Sequence, residues 1–341
     1  MQHTVTFPSG TVEYIFQRSF AEYLAGCDRE QTVLVTNEHI AHLYPQLFEG
    51  RKTLVIAPAE SSKSLDTIGR LTKELIALEA TRKTTLIGVG GGVVTDITGF
   101  LASVYMRGVP FGFVPTTLLG MVDAAIGGKN GVNAGMNKNL IGTINQPDFI
   151  LFDTGFLDTL PDEEWSNGFA EIIKYACIFD ADLFAELGKN SISGYREHGN
   201  TNLAALIERC VAWKNKTVAE DEHEQGVRKL LNFGHTAAHA IENMYELSHG
   251  KAVAIGMVIA CILSEELTGL DKGVTERLKT LLKQYGLPVR HDIDVKQAMD
   301  ILKMDKKRVN ETIDYILLEE VGKAVIKPLP FSVIEHTLAQ I

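Results

Sequence analysis

The sequence lacks any paired-cysteine pattern. Cys27, Cys177, Cys210 and Cys261 are scattered with no CxxC spacing, which excludes a cysteine-pair zinc module and suits a reducing compartment. No apolar run is long enough to cross a bilayer: the longest, Ala252–Leu263, reads as a buried helix. The opening residues, MQHTVTFPSG, lack the basic-then-apolar order of a secretion signal, so a cytoplasmic location is expected. Positive charge is also in short supply. With 33 Lys and Arg against 43 Asp and Glu, the formal net charge is -10, which argues against nucleic acid or an anionic membrane as partner. Basic residues gathered at one place in such a chain would serve a local anion. There is no internal repeat and no low-complexity tract.

What is there divides in two. At 341 residues the chain is long for one core. The first half carries short apolar runs, Val33–Val35, Thr53–Ile56, Thr85–Val89, Phe111–Val114 and Phe149–Phe152, separated by helical patterns such as Ser62–Ala77. Continuous apolar runs alternating with helices predict a parallel sheet covered on both faces. Beyond Thr154 long amphipathic segments take over, at about 162–188, 200–220, 229–245, 251–268, 274–285 and 295–303, and a hairpin follows between Thr312–Leu318 and Lys323–Ile326. The expected organisation is an α/β domain over 1–157 and a mostly α-helical domain over 158–341.

The stretch Asn232–Met257 is the most informative. It sets three histidines in an otherwise apolar, helix-like segment. His235 and His239 are four apart and share a helix face, and His249 follows a polar break. Upstream, Glu171 and Lys174 stand three apart in another apolar helix. One Glu and two His form a common ligand set for a catalytic zinc with one open position. The same residues could equally be polar groups satisfied inside a helical core. HTAAH also lacks the Glu of an HExxH zinc-protease helix, so peptidase chemistry is not indicated.

Two glycine-rich elements stand in the first half. Gly88–Gly99, reading GVGGGVVTDITG, follows a predicted strand and opens a predicted helix. Glycines there let a backbone approach a pyrophosphate at a helix N-terminus, although the pattern is not a clean GxGxxG and a simple tight turn remains open. The second, Val122–Asn133, is followed by Asn137-Lys138-Asn139 and includes Lys129. Arg107 lies just upstream, and Lys214, Arg228, Lys306 and Lys307 recur downstream. Gathered with Gly and Asn, such bases suit phosphate or carboxylate groups.

Taken in order, GGGVVTD, YMRG, VPTTLL, VDAAIGGK, KNLIG, GFAEIIKYA, LLNFGHTAAHAIE and HGKAVAIGM resemble the successive motifs of the 3-dehydroquinate synthase family, within the sugar phosphate cyclases. The resemblance runs over roughly residues 30–310. It implies an N-terminal α/β NAD-binding domain, a C-terminal helical metal-binding domain, and a carbon–oxygen lyase of the shikimate pathway of aromatic amino-acid biosynthesis. The implied reaction takes 3-deoxy-D-arabino-heptulosonate 7-phosphate to 3-dehydroquinate and phosphate, through transient oxidation at C5, phosphate elimination, re-reduction and internal aldol closure. Implied cofactors are NAD and a divalent metal, zinc or cobalt, and the implied assembly is a homodimer.

Carried over by motif, Glu171, His235 and His249 would bind the metal, and His239 would be a general acid/base. Lys129, Asn139, Lys174, Lys214, Arg228, Asn232 and Lys306 match substrate-contacting positions. Arg107 matches a phosphate-binding arginine that reaches in from the partner subunit. Asn37, Glu60, Lys63, Gly90, Gly91, Gly92, Asp96, Thr116, Thr117, Asp123, Lys138 and Thr159 match positions lining the NAD site. The chain departs from the family pattern at Thr95, Ala124-Ala125, Ala238 and Lys251. Lys251 stands where a Glu is usual and puts a positive charge beside His249. The remaining alternatives are another sugar phosphate cyclase, a metal-dependent polyol dehydrogenase of related fold, and a catalytically dead binding protein.

Overall fold

The computed structural model describes residues 2–135, 137–197, 201–304, 308–309 and 312–339. Lys306 lies outside them. The chain forms two compact units, Met1–Leu160 with Leu206–His223, and Pro161–Ala205 with Glu224–Ile341. Among the described residues no helix is long and apolar enough to cross a membrane.

The first unit is built on a seven-stranded sheet. Its strands are β1 (Gln2–Phe7), β2 (Gly10–Phe16), β3 (Thr32–Asn37), β4 (Thr53–Ile56), β5 (Thr85–Gly90), β6 (Phe111–Pro115) and β9 (Phe149–Phe152), in the order β1-β2-β9-β6-β5-β3-β4. All neighbours from β2 to β4 pair in parallel. Every apolar run expected to form a strand does so. The four inner ones, β3, β5, β6 and β9, are buried on both faces, which is why they read as continuous rather than alternating, while β4 lies at the sheet edge and leaves Val55 exposed. Ile15, Leu34, Ile87, Val89, Val114 and Leu151 from the sheet pack with Phe20, Leu24 and Phe156 in one core. Each such buried side chain contributes roughly 1.5–3 kcal/mol by leaving water. Helix Leu65–Ala77 buries Ile68, Leu71 and Leu75, one side of its 3.6-residue period.

Two hairpins of this unit were not foreseen. β1 pairs antiparallel with β2 through Phe7 and Gly10. β7 (Lys129–Ala134) pairs antiparallel with β8 (Asn137–Ile144) as a separate ribbon. The Gly- and Asn-rich sequence of the second one reads as turn, yet Lys129 and Asn139 both stand on its strands.

The second unit is mainly helical. Helices Asp162–Phe179, Ala181–Leu187, His235–Tyr245, His249–Leu267, Lys272–Gln284 and Val295–Met304 are joined by β10 (Arg308–Val309), β11 (Thr312–Glu320) and β12 (Lys323–Pro330), an antiparallel set. The expected 162–188 helix is broken at Asp180. That residue leaves helical geometry (φ -148, ψ 84), and its side chain accepts from the Leu183 amide to cap the next helix. The expected 229–245 helix begins only at His235, because Val227–Asn232 forms a 3-10 turn and Gly234 adopts a left-handed conformation (φ 80).

Candidate active site

The carboxyl ends of parallel strands are where α/β sheets bind ligands, and the expected nucleotide-lining residues gather at that edge. Asn37 ends β3 and caps the following helix by accepting from the Ile40 amide at 2.9 Å. Gly90 ends β5, Gly91 precedes helix Gly92–Val104, and that N-terminus has no side-chain cap bond. A side chain at Gly90 would stand 2.4 Å from Val94 Cγ2, so only glycine lets strand and helix meet this closely. Thr116 and Thr117 follow β6, and the Thr116 amide donates to the Gly90 carbonyl at 3.0 Å. Thr116 Oγ1 is buried with no hydrogen-bond partner among the described residues. Thr159 closes the 3-10 segment after β9, where the Tyr44 hydroxyl meets its Oγ1 at 2.8 Å. An orphaned hydroxyl beside an uncapped helix start and a glycine turn fits a nucleotide phosphate.

Lys63 joins several of these positions. Its Nζ lies 2.5 Å from both Asp96 Oδ2 and Asn139 Oδ1, and 3.7 Å from Glu60 Oε1. Glu60 Oε1 also accepts from Asn133 Nδ2 at 2.9 Å, and Asn133 Oδ1 accepts the Asn139 amide at 2.8 Å. Asn139 itself is left-handed (φ 50), a conformation Asn tolerates and one that recurs at functional sites. Burial pushes the Asp96 carboxyl up from its ordinary pKa, against the pull of Lys63. Elsewhere in the unit, Lys214 Nζ contacts Asp123 twice, donating to its carbonyl at 2.6 Å and pairing with Oδ1 at 2.8 Å. Asp123 lies in a π-helical turn, Gly120–Ala124, a distortion frequent at functional sites. Lys129 and Lys138 are exposed on β7 and β8. Arg107 is also exposed. It and Met106 are both left-handed (φ 66 and 48).

The second unit holds the acid–histidine set. Glu171, Lys174, His235 and His249 come together, with Glu171 fully buried and Lys174 1% exposed. Glu171 Oε1 lies 3.0 Å from His249 Nε2 and 3.4 Å from His235 Nε2, while Oε2 pairs with Lys174 Nζ. One ligand atom from each of Glu171, His235 and His249 falls within 4.8 Å of the others, the spacing of donors around one ion. His235 Nδ1–H donates to the Phe233 carbonyl at 3.1 Å, which leaves the Nε2 lone pair facing Glu171. Burial pushes the His235 pKa down to about 4 despite Glu171, so the imidazole is neutral at pH 7, the form that binds metal. Burial alone would raise Glu171. Lys174 and His235 outweigh it and hold the carboxyl well below the usual range. Donor types, spacing and protonation therefore fit a divalent cation. His239, one turn on, is half-buried and its ring stands edge-on to His235 at 6.0 Å.

Arg228 is buried and Asn232 ends the same 3-10 turn. Asn232 Nδ2 donates to Glu224 Oε1 at 2.5 Å, and Glu224 is left-handed (φ 58). The sequence reading passed over Glu224. In DEHEQGVR it looks like one of several solvated acids, and only its strained backbone and its bond to Asn232 mark it. Lys251, the charge beside His249, turns to Glu163 at 2.7 Å and leaves the donor set alone.

A parallel sheet with a phosphate-type glycine turn, and a helical unit whose buried Glu171 meets two partly buried histidines, define an enzyme that uses a nucleotide and a metal, of the architecture found in sugar phosphate cyclases. The solved 2-deoxy-scyllo-inosose synthase shares that fold, with a TM-score of 0.88 at 24% identity over 100% of this chain and 99% of that one. A 2-epi-5-epi-valiolone synthase from Streptomyces hygroscopicus subsp. jinggangensis 5008, solved with NAD+ and Zn2+ bound, superposes with a TM-score of 0.87 at 29% identity, covering 98% and 96% of the two chains. The family models for the 3-dehydroquinate synthase N-terminal and C-terminal regions match residues 53–167 and 168–308. The 3-dehydroquinate synthase of a Nitratiruptor species is 42% identical over 310 residues, 87% of this chain and 86% of that protein. That of Thermococcus kodakarensis is 44% identical over 287 residues, 84% and 80%. The chain belongs to the 3-dehydroquinate synthase family.

Proposed function

We propose that the chain catalyses the reaction of its family, converting 3-deoxy-D-arabino-heptulosonate 7-phosphate into 3-dehydroquinate and phosphate. The observation that carries this reading is the convergence of Glu171, His235 and His249, whose ligand atoms lie within 4.8 Å of one another, in a chain 40–44% identical to proteins named for that activity. When bound, NAD+ would supply a hydride acceptor for oxidation at C5, and zinc or cobalt would supply Lewis acidity toward the substrate hydroxyls. Glu171, His235 and His249 would hold the metal. Lys174 keeps Glu171 charged. His239 moves protons as general acid and base. Lys129, Asn139, Lys214, Arg228, Asn232 and Lys306 bind the carboxylate, phosphate and hydroxyls of the substrate, where Lys serves as a point charge and Arg as a fork. The glycine turn Gly90–Gly92, with Asn37, Glu60, Lys63, Asp96, Thr116, Thr117, Asp123, Lys138 and Thr159, lines the nucleotide site.

The substrate class is a phosphorylated sugar acid. The polyol dehydrogenase alternative handles a neutral substrate and has no use for so many cationic contacts. We place the enzyme in the cytoplasm as a homodimer, with Arg107 serving the partner subunit. The outward-facing Arg107 on two consecutive left-handed residues supports that role, since such strain persists where the surroundings enforce it. Mixing inactive Arg107→Ala with inactive Lys174→Ala tests it: hybrid dimers carry one intact site and should recover activity. No recovery after subunit exchange counts against the shared arginine. The reaction itself is tested by supplying the heptulosonate phosphate, NAD+ and zinc and measuring phosphate release together with dehydroquinate.

A further inference from the structure

His249 occupies the first position of helix His249–Leu267, where backbone amides have no intrahelical acceptors. Ser248, just before it, makes no side-chain cap bond. A ligand placed there would ride on a fraying turn unless another element supplied the acceptor. Asn167 supplies it. Its Oδ1 accepts from the Gly250 amide at 3.1 Å, and the residue is 4% exposed.

Asn167 lies one turn before Glu171 in helix Asp162–Phe179, and Glu163 lies one turn earlier again, so the three share a face. Their partners are consecutive residues: Glu171 meets His249, Asn167 meets Gly250, and Glu163 meets Lys251. The approach is close. A Cβ on Gly250 would stand 2.6 Å from Asn167 Cα and 2.8 Å from its Oδ1. The Glu163–Lys251 pair is substantially exposed, with side chains 55% and 38% accessible, and such pairs contribute little. The buried amide bond is the contact that fixes the turn.

We propose that Asn167 is a positioning residue of the metal centre, clamping the first turn of the His249 helix onto the helix that carries Glu171. The inference rests on Glu171, His235 and His249 being the metal ligands. Groups that orient ligands from outside the donor set typically change metal affinity about 10–100-fold when lost.

The test uses full-length protein stripped of metal and titrated with zinc against a competing chelator. Cobalt absorption gives a second readout, of coordination geometry. Asn167→Leu removes the acceptor at similar size and should weaken zinc binding about 10-fold or more. Asn167→Asp keeps the acceptor and should bind like the parent or tighter. Gly250→Ala drives the two helices apart and should weaken binding as Asn167→Leu does, and both should alter the cobalt spectrum. A merely structural role would lower the melting temperature of the metal-free variants and leave zinc affinity and cobalt spectrum unchanged. Parental affinity in Asn167→Leu or in Gly250→Ala overturns the proposal, as does Asn167→Asp weakened to the same extent as Asn167→Leu. A parent that takes up no zinc overturns the ligand assignment as well, and so separates the two failures.

Discussion

The two units build their sites from different materials. In the first, the expected nucleotide contacts are spread over strand ends, a glycine turn, an uncapped helix start and polar side chains such as Lys63 and Asp96. In the second, the proposed chemistry depends on a few side chains, one carboxylate and two imidazoles, whose donor atoms lie within 4.8 Å of one another. Distributed recognition spreads binding over many groups, each of modest effect. A ligand triad concentrates it, and each member is indispensable. The units should therefore fail differently under mutation.

The sharpest break should come at the triad. His235→Ala is expected to lose stoichiometric zinc and all measurable turnover while the protein stays folded, since three protein ligands with one open position are the pattern of a catalytic and not a structural zinc. His239→Ala, one turn away, is expected to keep zinc and lose about 10²–10⁴-fold in turnover, the usual effect of losing a general acid or base. Metal analysis decides between the roles: zinc lost equally in both variants would make His239 a ligand.

A smaller effect is expected on the nucleotide side. Lys63→Met removes the cation shared by Asp96 and Asn139, and should raise the NAD+ dissociation constant by about 10-fold, of the order of one charge-assisted hydrogen bond. Loss of all binding in this variant would show that recognition is as concentrated here as at the metal, and the contrast between the units would fall.

The smallest effect is on stability and requires metal-free protein. His235 has a folded pKa of about 4 against 6.5 for the free side chain. As pH falls through 6.5 the unfolded chain takes up a proton that the folded chain refuses, so stability declines until about pH 4 and then levels off. The gap between the two values corresponds to about 3 kcal/mol at most. Denaturant melts at pH 7 and pH 4.5 should show this loss in the parent and a reduced one in His235→Gln. An identical pH dependence in both would remove His235 as the cause.

Much of this was legible because the responsible patterns are local. Five parallel strands appear as continuous apolar runs, four of them buried on both faces, and the helices of the proposed ligands carry their Glu and His residues in plain view. What was hidden depends on pairing or on single backbone torsions. The β7–β8 hairpin reads as turn because Gly, Asn and Lys dominate it, and only cross-strand pairing reveals a ribbon. The break at Asp180 looks like a polar residue within a helix until its side chain is seen capping the next one. Glu224 resembles its acidic neighbours until its left-handed torsion and its bond to Asn232 are known. The site residues were reached through the order of motifs, whereas the charge state of Glu171 depends on the burial of Lys174 beside it, which no sequence pattern states.

The central claim is that hydride leaves and returns to the same substrate, so that NAD+ acts catalytically. The direct measurement supplies metal-loaded enzyme with excess heptulosonate phosphate and an amount of NAD+ well below that of substrate, and follows phosphate and NADH together. The account predicts many phosphates released per NAD+, one per dehydroquinate formed, with no net NADH. Steady accumulation of free NADH without phosphate release would contradict it and point to net oxidation.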